Sequence, residues 1–135
     1  MIFLTDNDFG PQIRSEVLAI VRGTETNQET AERAAITEMQ TYLQGKYDVA
    51  IIFGATGTDR NALIVMYCVD ILLCHLHSNI TPKNIPDLRV KRYNDAIAWL
   101  KLVASDKLNP DLPIIPGQES GEFTLGGNTK VSKRW

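Results

Sequence analysis

From Ala62 to Leu76 the chain is apolar or weakly polar at every position except Asp70 and His75. The whole segment Asn61–His77 has no Gly or Pro and is too long for a strand, so its length favours a buried helix. It falls short of the roughly 20 consecutive apolar residues that a bilayer span needs. A helix apolar on nearly every side must be wrapped by others. Before it, Thr5 is an N-cap for a first helix broken near Gly10-Pro11, with Ile13, Val17, Ile20 and Val21 as its stripe and Gly23-Thr24 as its end. Thr26 and Glu29 then fit a capping box. After them Ala31, Ala35, Met39, Tyr42, Leu43 and Tyr47 recur at helical spacing, with Glu32, Arg33 and Glu38 assigned to the outer side. Asp48 to Gly57 reads as a linker with an apolar clump, Val49 to Phe53, and Thr58 or Asp59 as the cap of the central helix. A last helix, roughly Asp87 to Lys107 with Pro86 at its first turn, turns Tyr93, Ala96, Ile97, Leu100, Val103 and Ala104 inward, with Trp99 beside the stripe.

From Leu108 onward helical period is lost. Pro110, Pro113 and Pro116 are followed by Gly117, Gly121, Gly126 and Gly127, and Glu122–Leu125 alternates like one short strand, which cannot stand alone. The pattern therefore predicts an all-α fold: a small bundle of four to five helices around a buried central helix, with an irregular C-terminal arm. The expected division is a helical domain over 1–107 and a Pro/Gly-rich arm over 108–135.

Composition narrows the class. A chain of 135 residues suffices for one core without disulfides or metal. The formal net charge of −2 gives no general attraction to nucleic acid or membrane. Cys68 and Cys74 lie six apart in the central run, face different directions and read as buried free thiols, which suit a reducing compartment. MIFLTDNDFG has neither a basic nor a long apolar signal region, so a cytoplasmic protein with no membrane partner is expected. Charge is uneven: residues 1–48 hold eight acids and four bases, and residues 83–107 hold six bases and three acids. Such poles are compatible with head-to-side packing of identical subunits and equally with ordinary solvated faces.

No catalytic constellation emerges. His75 and His77 point to opposite sides of a helix, unlike zinc ligands three or four apart. Gly54-Ala-Thr-Gly57-Thr lacks the Gly-Lys-Ser/Thr ending of a phosphate loop. Asp70 and His75 are too poorly aligned for a nucleophile relay. No metal, cofactor or enzymatic activity is expected. Asp70 instead requires an internal partner, because a lone buried carboxylate is expelled or neutralised. The last helix must return antiparallel, which brings Arg92 or Tyr93 toward Asp70 as a structural lock.

The ordered set ETAERAAITEMQTYLQGKYDV, RNALIVMYCVDILLCHL and VKRYNDAIAWLKLVASDKLNPDLP resembles the Mu-like prophage head–tail adaptor family, most closely in its Bacteroidetes prophage versions, over about residues 1–113. The resemblance implies an all-α connector that oligomerises, as a ring, between portal or capsid and tail. It implies contacts with itself and with portal and tail-joining proteins, and with DNA only through a channel, without sequence specificity. It also implies assembly in the bacterial cytoplasm and residence in the virion neck. Phe123, Leu125, Lys130, Lys133, Arg134 and Trp135 are candidate partner-binding residues on the arm, because aromatic and basic anchors suit folding on binding. The competing reading is a small helical regulatory or nucleic-acid-binding module, for which the Lys83 to Arg92 cluster is the only candidate recognition surface.

Overall fold

The computed structural model describes residues 2–10, 13–14, 17–19, 25–80 and 82–116. Among the described residues four α-helices have stated bounds: α1 (Glu25–Leu43), α2 (Val49–Gly54), α3 (Ala62–Ile80) and α4 (Asp87–Ala104). Residues 17–19 are also helical, and 3-10 turns lie at Asp6–Phe9 and Gly57–Asp59. The fold is all-α, and among the described residues no strand forms; Tyr47 and Ile114 make one isolated antiparallel bridge.

The central run is the central post. Ile64, Cys68, Val69, Ile71, Leu72, Leu73 and Leu76 are all buried, which covers most of the circumference of α3. α1 and α4 both pack on it and touch each other, and the Asp6–Phe9 turn closes a further side. Ala35, Met39 and Leu43 come from α1, and Ala96, Leu100 and Val103 from α4. Burial of each large apolar side chain is worth about 1.5–3 kcal/mol, so this contact dominates the bundle's stability. The helix runs to Ile80, 19 residues, long and apolar enough to cross a membrane by length and composition. Length therefore does not exclude a span. What marks α3 as a core helix is its wrapping, and the two ionisable side chains, Asp70 and His77, sealed inside it.

Several local expectations are corrected. The 48–57 segment is not a plain linker, because Val49–Gly54 coils into a short helix whose first turn is capped by Asp48 (Ile51 N–H to Oδ1, 3.3 Å). α3 is capped by Asn61, whose Oδ1 accepts from Leu63 N (3.0 Å) and Ile64 N (3.2 Å), rather than by Thr58 or Asp59. α1 is already formed at Glu25, so Thr26 lies inside it. Thr5 begins a 3-10 turn and not a full helix; its N–H donates to Asp8 Oδ2 at 2.7 Å. Val17 is exposed and Leu18 takes the buried place, while Ile20 and Val21 lie outside the described residues. Ala104 is exposed at the end of α4, where Asp106 adopts a left-handed conformation (φ 63°) that Asp tolerates better than most residues.

The first part of the arm is docked on the bundle. Asp48 N–H donates to Pro113 O (2.9 Å), Ile115 N–H to Lys46 O (3.0 Å), and Leu112 is buried. Lys46 Nζ reaches Asn109 Oδ1 at 2.9 Å and Asp106 Oδ1 at 3.3 Å, which holds the turn after α4 against the end of α1.

Candidate functional site

Asp70 sits at mid-height on α3, 2% exposed, on the side that faces the first turns of α4. Antiparallel return of α4 brings Arg92 Nη1 to 3.6 Å from its Oδ1, an ion-pair distance too long for a hydrogen bond. Arg89, 5% exposed, acts on the same carboxylate electrostatically. Burial raises the Asp70 carboxyl above its ordinary range, and the pull of Arg92 and Arg89 in the other direction does not undo it. Burial likewise lowers the Arg89 guanidinium, against the attraction of Asp70. Of the two residues expected to reach Asp70, the structure brings Arg92. Tyr93 goes elsewhere.

The Tyr93 hydroxyl donates to Glu38 Oε2 at 2.6 Å, and His75 Nε2 lies 3.3 Å from Glu38 Oε1. The His75 and Tyr93 rings meet edge-on at 6.3 Å. One carboxylate on α1 thus joins α3 and α4. Burial, and then the bond to anionic Glu38, push the Tyr93 hydroxyl well above its usual range, so it stays a donor. Glu38 is not on the outer side, and neither is Glu32.

Glu32 is 2% exposed and accepts three backbone N–H groups: Ile2 at 2.9 Å on Oε1, and Phe3 at 3.0 Å and Leu4 at 2.8 Å on Oε2. A buried carboxylate is tolerated when such donors surround it. Phe3 and Leu4 are thereby placed in the core. A second clamp holds the same segment. Arg60 binds Asp8 in a bidentate pair (Nη1–Oδ2 2.6 Å, Nη2–Oδ1 3.1 Å), donates to Phe3 O (2.9 Å) and Gly57 O (2.8 Å), and lies over the Phe3 ring. Burial raises the Asp8 carboxyl, but the Arg60 guanidinium and the Thr5 N–H outweigh it and hold the group below its ordinary value.

Sequence reasoning missed Glu32, Glu38, Asp8 and Arg60 as bracing residues. The signal for Glu32 was present: Glu32, Ala35, Met39 and Leu43 share one helical face at spacings of three and four. Asp8 and Arg60 are separated by 52 positions, and nothing local pairs them.

These bonds also change the charge map. Of the eight acids in residues 1–48, Asp8, Glu32 and Glu38 are bound inside the bundle, so the acidic pole is weaker than the sequence suggests. In the Lys83 to Arg92 cluster, Arg89 is buried, Arg92 faces Asp70 and Lys91 is 3.0 Å from Asp95. It does not form a continuous basic face. The arm candidates Phe123, Leu125, Lys130, Lys133, Arg134 and Trp135 lie outside the described residues. Among the described residues no group of three or more His, Cys, Asp or Glu could hold a metal ion. Burial pushes the Cys68 thiol far up, and both thiols are free.

A three-helix core whose ionisable groups brace its own packing defines a structural helical domain. The chain belongs to the phage family described as Bacteriophage Mu, Gp36, which matches residues 2–124. That is a family of head–tail connector type, with a general role in structure and assembly rather than catalysis. No curated protein and no solved structure matches the chain.

Proposed function

We propose that the chain is a neck adaptor of a phage or prophage, of the kind carried by Bacteroidetes prophages. It oligomerises as a ring and joins the portal of the capsid to the tail, assembling in the bacterial cytoplasm and ending in the virion neck. Its partners are copies of itself and the portal and tail-joining proteins, and DNA passes through its channel without sequence readout. The observation that carries this reading is the family match across nearly the whole chain, on a bundle whose Asp8, Glu32 and Glu38 carboxylates are spent on internal bonds. The arm, with Phe123, Leu125 and the basic residues up to Trp135, is the segment we assign to neighbouring subunits. Asp70 and Arg92 then act as an internal lock.

The regulatory or nucleic-acid-binding alternative needs a basic helix face. Three of the four bases between Lys83 and Arg92 are directed at acids or the core, which argues against it. Titration of the full chain against portal rings and, separately, against duplex DNA tests the choice. Saturable portal binding with no duplex affinity at physiological salt is expected. Micromolar duplex binding that weakens steeply with salt, with no portal binding, would replace the adaptor by the module.

A further inference from the structure

At one end of the bundle, a groove of about 270 Å³ opens between α2 and the docked start of the arm. Its lining is mixed, with Ile51, Ile52, Leu112 and Pro113 beside the carboxylates of Asp59 and Asp111. Ile51 is 55% exposed, so an apolar side chain lies open to solvent at the groove. Among the described residues neither Asp59 nor Asp111 forms an ion pair, and no base lines the groove. The volume lies just below the range of about 300–1,000 Å³ seen for small-molecule sites, which suits one large anchoring side chain and not a free ligand.

We propose that this groove receives the C-terminal segment Lys130–Trp135 of a second copy of the chain. The inference rests on the assembly role proposed above and names the surface where the arm docks. Charge complementarity supports it: Lys130, Lys133 and Arg134 are basic with no acid among the last six residues, and they would face the Asp59 and Asp111 carboxylates. Val131 and Trp135 supply apolar groups that can pack on Ile51, Leu112 and Pro113, Trp being a common interface anchor. The direction of the chain favours a neighbour. Residues 111–113 wall the groove, and Ile114 and Ile115 then run antiparallel to Tyr47 and Lys46, toward the end of α1 and away from the groove. The 19 residues from 117 to 135 allow a maximal contour of about 60 Å, ample to meet an adjacent subunit.

The test uses full-length chains with p-benzoylphenylalanine replacing Trp135, mixed from ¹⁴N- and ¹⁵N-labelled batches at high concentration, irradiated and mapped by mass spectrometry. Cross-links to Ile51, Ile52 or Leu112 in mixed-isotope pairs are expected. Asp59→Lys with Asp111→Lys should cut their yield about tenfold, and adding Lys133→Glu with Arg134→Glu should restore it. Cross-links within a single chain, to another surface, indifferent to these charges, or absent altogether would overturn the proposal. Portal binding by the same chains separates the two ideas. Loss of the groove cross-link with portal binding retained leaves the adaptor standing, whereas groove cross-links without portal binding leave only the arm contact.

Discussion

Replacing Arg60 tests how the N-terminal segment is held to the bundle. In the native chain its guanidinium makes two bonds to Asp8 and one each to Phe3 O and Gly57 O, with the two side chains only 10% and 12% exposed. Removing one partner of such a pair leaves a poorly solvated charge, at a cost of roughly 3–5 kcal/mol when burial is complete. Partial exposure puts Arg60→Met at the lower end, about 3 kcal/mol. For a domain of this size, that is a fall in melting temperature of about 10 °C. The pH dependence carries a second signature. The folded Asp8 carboxyl is held below its ordinary 3.8, so its contribution is complete above that value and is lost as pH falls through the lower, folded value. Urea titrations between pH 2 and 7 should show this acid loss in the parent and a flatter slope in Arg60→Met. A change in stability below about 1 kcal/mol, or identical pH profiles, would refute the clamp.

Further outcomes follow from the same geometry. Glu32→Ala removes the acceptor of three N–H groups and should cost about 2–4 kcal/mol, with the Ile2, Phe3 and Leu4 amides losing protection in hydrogen exchange; unchanged protection would mean the latch is idle. Asp70→Ala removes the buried carboxylate that Arg92 pairs with and should destabilise by about 3 kcal/mol at neutral pH in a thermal melt, while Tyr93→Phe, which loses one bond to Glu38, should cost less, about 1–2 kcal/mol. Because the folded Asp70 carboxyl is raised, its effect on stability runs opposite to that of Asp8: the parent loses this part as pH rises from about 3.8 toward the folded value. Truncation after Asn109 removes Leu112 and two backbone bonds and should lower the melting temperature, whereas truncation after Pro116 should not; equal melting of the two would mean that the docked stretch adds nothing.

The bundle was legible because its central element needs no tertiary information. A long apolar run without Gly or Pro must be a wrapped helix, and Ala62–Ile80 is one. Short elements were harder. Val49–Gly54 has too few residues for helical period to show, and its helix rests on the Asp48 cap and on packing. Charged residues were assigned outward by their type, which failed at Glu32 and Glu38, where position on the α1 face decides. The approach of α4 to Asp70 was legible in part, since antiparallel return of α4 constrains which turn faces Asp70 but not whether Arg92 or Tyr93 turns toward it. Connector membership came from the order of several segments, and no single motif carries it.

The adaptor role is tested most directly by imaging portal rings incubated with the full chain by cryo-electron microscopy. The expected result is an added ring of three-helix bundles, coaxial with the portal and extending its channel, at a fixed number of copies. Portal rings that stay bare at saturating chain, or chains bound off the axis without closing a ring, would contradict it.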